Sequence, residues 1–132
     1  MNIIETAIAD GNFNTLIKLV KASGLEKTLS AEGPFTLFAP NDAALEDISS
    51  EKMIALITGP QKKIEEIILY HLLEGKYMAS DLAKIKSIKT LAGYSLDIDA
   101  SSGLKVDGVI VIDKDIICDN GVCHIVNGLM AP

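Results

Sequence analysis

Two histidines and two cysteines are the residues of this sequence best suited to nucleophilic, proton-transfer or transition-metal chemistry near neutral pH. Cys118 and Cys123 flank Asn120-Gly121, a dipeptide that favours a two-residue hairpin turn with positive φ at both positions. A turn centred on Asn120-Gly121 makes the cysteines a cross-strand pair, with Cα atoms about 4.5–5.5 Å apart and within disulfide range. A Cys118–Cys123 disulfide is therefore expected if the chain is exported, and two reduced thiols acting as small buried hydrophobes otherwise. A zinc site is not expected, because Cys123 and His124 are neighbours that point to opposite faces of a strand. The same alternation separates Cys123 from any His partner near it and leaves only the remote His71 for a nucleophile pair. Asp97, Asp99 and Ser101 resemble the start of a calcium loop, but no glutamate closes it at the twelfth position. Phosphate-cradling glycine loops are absent. No catalytic residue, metal or cofactor is expected.

His71 follows Ile64, Ile67 and Ile68 at helical spacing, which predicts a buried, neutral imidazole. A buried ring needs partners, and the expected ones are backbone groups or Asn41 or Asp42. Tyr70 lies about 100° round the same helix, where its ring can pack while its hydroxyl reaches a polar group.

The elements that position these groups follow from pattern. Asn2 with Glu5 three residues on forms a capping box for a first helix, with Ile4, Ala7 and Ile8 as its buried stripe. Asn12 is placed to cap a second, whose Phe13, Leu16, Ile17 and Val20 share a face, and Gly24 ends it. Phe35 to Ala39 reads as a buried strand stopped by Pro40, and Asn41 as the cap of a short helix. Helices are predicted over 51–58 and from Pro60 through Leu72. From Ser87 onward, glycine and aspartate punctuate short β-branched runs at 87–91, 94–99, 104–106, 109–112, 116–118 and 122–126. Helices first and antiparallel strands later give an α+β fold, read as one domain over residues 1–132.

Composition narrows the function classes. The 132 residues carry a net charge of −6, and all twelve basic residues are lysine. Without arginine, and with an acidic balance, nucleic-acid recognition is disfavoured. The longest apolar run, Ile64 to Leu73, is broken by Glu65, Glu66 and His71, far short of the ~20 residues that span a bilayer. Met1 to Glu5 lacks the features of a signal peptide, so the expectation is either a cytosolic protein or the mature form of an exported one.

Three segments together resemble the fasciclin (FAS1) family. TLFAPNDAAL, Thr36 to Leu45, is similar to its first motif, with Thr36, Phe38, Pro40, Asn41 and Asp42 as matching positions and Leu45 where phenylalanine is commoner. Tyr70-His71 matches the family's tyrosine–histidine pair. NGVCHIVNGLMAP, Asn120 to Pro132, is similar to its closing motif through Asn120, Gly121 and His124, with Cys123 in place of an aliphatic residue and Asn127 of a common aspartate. The resemblance implies a wedge of β-sheet packed on helices, no general enzymatic activity, and an extracytoplasmic role in adhesion to proteins or glycans of a cell surface or matrix. It also implies candidate partner-binding residues: Tyr70 and His71, linked to integrin recognition in adhesive relatives, and Asp115-Ile116, similar to an Asp-Ile element used in the same way. Read from the residues alone, packing is the favoured account of both Tyr70 and Ile116. A carrier of a small apolar or polysaccharide ligand, which requires a cavity of several hundred Å³, is the alternative function. A cysteine-dependent enzyme, which requires a stabilised thiolate, is the third.

Overall fold

A computed structural model describes residues 1–131. Among the described residues seven helices and seven strands form, with the helices concentrated before residue 71 and the strands after it. The α+β expectation therefore holds.

The first three helices, α1 (Ile3–Asp10), α2 (Asn14–Ser23) and α3 (Glu26–Ser30), lead into β1 (Phe35–Pro40). The Asn2–Glu5 capping box forms at the start of α1. Its buried stripe is rotated from the one predicted: Ile3, Ile4 and Ala7 face inward, while Ile8 is 55% exposed. The cause is the Ile3 N–H, which donates to the Asn120 side chain at 2.9 Å and turns the first residue of the helix toward the interior. Asn12 does not cap α2. Phe13 occupies the cap position without a side-chain bond, and the carboxylate of Asp42 takes the Thr15 N–H instead, at 2.9 Å. A cap brought from 27 residues away satisfies the same orphan donor as a local one.

Next come α4 (Asp42–Leu45), α5 (Ser50–Thr58) and α6 (Gln61–Tyr70), then β2 (Leu72–Glu74). Asn41 caps α4 as predicted, accepting the Ala44 N–H at 2.9 Å. Helix α6 stops one residue before His71, which is its C-cap with φ −97° and ψ 0°, so His71 and Leu72 are not on the helix. The rest comprises α7 (Ala79–Leu82), β3 (Ser87–Lys89), β4 (Ser95–Asp99), β5 (Lys105–Val106), β6 (Val109–Cys118) and β7 (Gly121–Val126). Two predicted runs, 109–112 and 116–118, fuse into β6 through irregularities around Asp113.

The strands follow the order β2-β1-β7-β6-β5-β4-β3. Neighbours are antiparallel except β1 and β7, which run parallel with Phe35 opposite Gly121 and Pro40 opposite Val126. The sheet is therefore mixed. β1 and β7 are buried on both faces, as strands covered on both sides must be. Leu37, Ala39, Cys123 and Ile125 join a cluster with Leu16, Leu19, Ile64 and Ile68 of the helices. Phe38 and Val126 join a second, with Tyr70, Leu82, Leu96, Val106 and Met130.

Gly121 makes the parallel pairing possible. Its φ is +154°, and a Cβ there would collide with the carbonyl oxygen of Phe35. Gly121→Ala is expected to lower stability by about 2 kcal/mol or more, seen as a lower urea midpoint with an unchanged slope. Gly11→Ala has a left-handed backbone (φ +83°) but open space around it, so only the conformational strain of about 1–2 kcal/mol is expected there. Equal losses at the two positions would refute the close-approach explanation.

Candidate functional site

Both histidines are spent on the backbone. His71 is 2% exposed. Its Nδ1–H donates to the Ile67 carbonyl at 2.8 Å, and its Nε2 accepts the Met130 N–H at 2.9 Å. Because the Met130 amide can only donate, Nε2 must be bare and the proton must sit on Nδ1. Asn41 and Asp42, the side chains predicted as alternative partners, serve α4 and α2 instead. Thr15 donating to its carboxylate also holds the Asp42 pKa below its ordinary value, aided by Asn14. Burial drives the His71 pKa down to about 4, against the opposing pull of the Ile67 carbonyl and Asp107.

His124 repeats the device on the opposite tautomer. Its Nε2–H donates to the Tyr77 carbonyl at 2.8 Å, and Nδ1 accepts the Asp115 N–H at 3.1 Å. The ring stacks on Phe38, its partner in the β1–β7 register, with centroids 5.8 Å apart. Burial again lowers the pKa, more than the Tyr77 carbonyl raises it. Thr36, fully buried beside this strand pair, donates to the Gly75 carbonyl at 2.7 Å and accepts the Tyr77 N–H at 2.8 Å. No buried side-chain polar atom among the described residues lacks a partner.

Of the residues assigned to partner contact, Tyr70 and His71 are buried, and Asp115 and Ile116 are half-buried. Tyr70 is 4% exposed, and its hydroxyl donates to Asp107 Oδ2 at 2.7 Å. Burial, and after it Asp107, push its pKa up to about 12. Tyr70 and His71 thus have almost no accessible area to offer a partner. Asp115 sits at a kink in β6 with φ +59°, and its Oδ1 accepts the Ala79 N–H at 2.8 Å, bracing the first turn of α7. Ile116 packs against the helix-side cluster. Its neighbour Ile117, on the other side of the strand, is 56% exposed. Strand alternation was the signal for this: an inward Ile116 requires an outward Ile117.

The disulfide expectation is also corrected. The turn residues are Asp119 and Asn120, one position earlier than predicted, so Cys118 pairs with Gly121 and Cys123 with Ile116. Diagonal neighbours on one face lie about 7–8 Å apart, beyond disulfide reach. Both thiols are free and buried. Burial, then Cys118 and Asp10, push the Cys123 thiol well above its ordinary range. No cluster of His, Cys, Asp and Glu among the described residues can hold a metal ion.

A groove of the size the ligand-carrier alternative requires, about 660 Å³, lies between α5, α6 and the C-terminal segment, a location the sequence reading did not indicate. Ile48, Leu56, Ile67 and Leu129 are among its apolar lining, and Lys52, Lys63, Asp47 and Asn127 supply the polar part. Its wall α5 contributes no buried residue, although Met53, Ile54, Leu56 and Ile57 are all apolar. With Met53 and Leu56 taken by the core, Ile54 and Ile57 are left exposed, and that surplus of apolar residues on one short helix was the available signal.

The His71 geometry fixes a pH dependence. Above the ordinary histidine pKa of ~6.5 the ring is neutral in both folded and unfolded chains and contributes no slope. As pH falls from 6.5 toward 4, the unfolded chain takes up a proton that the folded one refuses, because a charged Nε2–H would face the Met130 N–H. Stability should fall by about 1.4 kcal/mol per pH unit across that window, on the order of 3 kcal/mol in all, with His124 adding in the same direction. Urea titrations at pH 7, 5.5 and 4.5 test this, with His71→Gln expected to lose the larger share of the slope. An unchanged slope in that variant would contradict the assignment.

Comparison with known proteins agrees with this geometry. The fasciclin domain pattern matches residues 11–132. The chain is 34% identical to the uncharacterized protein sll1735 of Synechocystis sp., over 98% of this chain and 96% of that relative. It is 31% identical to transforming growth factor-beta-induced protein ig-h3 of Sus scrofa over 99% of this chain, but spans 19% of that longer protein. A solved FAS1 domain pair from the insect cell adhesion molecule Fasciclin I superposes with a TM-score of 0.86 at 17% identity, over all of this chain and 51% of the other. With a strand pair, a tyrosine–histidine brace and a closing segment where the resemblance required them, the chain belongs to the fasciclin domain family.

Proposed function

We propose that the chain is a single fasciclin-type domain acting outside the cytoplasm as an adhesion or protein-interaction module without catalytic activity. The observation that carries this reading is the disposition of its reactive groups. Both imidazoles have both nitrogens bound to backbone, the tyrosine hydroxyl at the motif is bound to Asp107, and both thiols are buried. A general base needs a free lone pair within reach of substrate, and a nucleophilic cysteine needs a stabilised thiolate. Neither condition is met at these residues. The relatedness to a domain pair of an insect cell adhesion molecule supports the adhesive part.

Its partner is proposed to be a protein or glycan of a cell surface or matrix. The contact surface must be drawn from residues other than Tyr70 and His71. On β6, Ile110, Ile112 and Ile117 are 44%, 53% and 56% exposed, and large exposed apolar side chains are what a binding patch needs. No helix among the described residues is long and apolar enough to cross a membrane.

Two measurements test the proposal. Immobilised chain should capture a component from a panel of surface proteins, matrix proteins and glycans, and Ile112→Lys with Ile117→Lys should weaken that capture by about tenfold or more. Absence of any capture, or full retention by the double variant, would move the function or the surface elsewhere. Iodoacetamide at neutral pH should leave Cys118 and Cys123 unmodified in the folded chain and label both in denaturant. Rapid labelling of one thiol in the native chain would restore the enzyme reading.

A further inference from the structure

We propose that the groove walled by α5, α6 and the C-terminal segment binds a single-chain amphiphile with an anionic head, of the long-chain carboxylate class. The inference is independent of the adhesive reading, since the groove lies on the α5–α6 helices and the β6 residues invoked above are not among its lining.

Size comes first. At about 660 Å³ the groove falls within the ~300–1,000 Å³ typical of small-ligand sites. Its walls are what a hydrocarbon chain requires: Ile48, Leu56, Ile67 and Leu129 supply apolar surface from four separate segments. Helix α5 reinforces the point. A nine-residue helix is marginal on its own and normally draws its stability from a buried face. Here α5 rests on the core only through the half-buried Met53 and Leu56, and none of its residues is fully buried. A chain lying in the groove would provide the missing cover.

Charge selects the head group. Lys52 stands four residues before Leu56, and Lys63 four before Ile67, so each cation sits one turn from an apolar wall residue on the same helix face. Among the described residues the one ion pair joins the Met1 amine to Asp119, so neither lysine is held by a carboxylate. Asp47 shares the groove, leaving two cations against one anion in a chain whose net charge is −6. A carboxylate head would find a partner here, an ammonium head would meet repulsion, and an alcohol would leave both lysines unused.

The test titrates the full chain into cis-parinaric acid, whose fluorescence rises in an apolar site, followed by displacement with palmitate, hexadecanol and hexadecylamine. Saturable enhancement is expected, with palmitate displacing at least about fivefold better than hexadecanol and hexadecylamine worst. Lys52→Gln with Lys63→Gln should weaken palmitate by about fivefold and leave hexadecanol unchanged. Ala55→Phe fills the groove from an exposed helix position that holds no core contact, so its circular dichroism should be native while binding is lost. Non-saturable enhancement, equal displacement by acid and alcohol, or retained binding in a folded Ala55→Phe variant would each overturn the proposal.

Discussion

The side chain of Asn120 is the knot on which the arrangement depends. It is 5% exposed, and its amide donates to the carbonyls of Leu29 and Ala31 at 2.7 and 2.8 Å. Its Oδ1 takes the Ile3 N–H, and its backbone carbonyl takes the Phe35 N–H at 2.9 Å. One residue thereby satisfies the free end of α3, the first turn of α1 and the entry to β1. The Ile3 N–H and the Leu29 carbonyl would otherwise be polar groups buried without a partner, at a cost of about 1–3 kcal/mol apiece. The next residue, Gly121, brings β7 against β1 at the same point, so the knot and the parallel strand pair are one construction.

The two histidines extend the same logic along that strand pair. An imidazole in one tautomer is both donor and acceptor, so it can join a backbone carbonyl to a backbone N–H that are too far apart to bond directly. His71 joins the end of α6 to the C-terminal segment, and His124 joins the loop before α7 to the kink in β6. Burial keeps both neutral, which is the state in which the brace works. The property that would mark a catalytic base, a displaced pKa in a titratable group, has here a structural cause. With its reactive groups turned inward, the domain leaves exposed aliphatic side chains and a lysine-bordered groove on its surface.

Several features were legible in the sequence because they rest on neighbours. The Asn2–Glu5 box, the Asn41 cap, the helical stripe of α2 and the glycine-punctuated strands all depend on residues within a few positions of one another. The motif pattern added the family. Errors arose where a local pattern met a distant group. Asn120-Gly121 favoured a turn centred on itself, yet the interior claims the Asn120 side chain and β1 claims the space at Gly121, so the turn shifts to Asp119-Asn120 and the cysteines lose their pairing. Asn12 gave way to Asp42, Ile8 to Ile3, and a continuous helix through Leu72 to a chain reversal at His71.

The amino-acid sequence by itself determined most of the helices and strands, the α+β class and the burial of His71, because periodicity and turn chemistry act over one or two turns of chain; the short α3, β2 and α7 left no such pattern. Tertiary structure alone decided the parallel β1–β7 register, the identity of each polar group's partner and the existence of the groove beneath α5. Those depend on atoms separated by as many as 117 residues, whose meeting is set by the packing of whole elements and leaves no local signature.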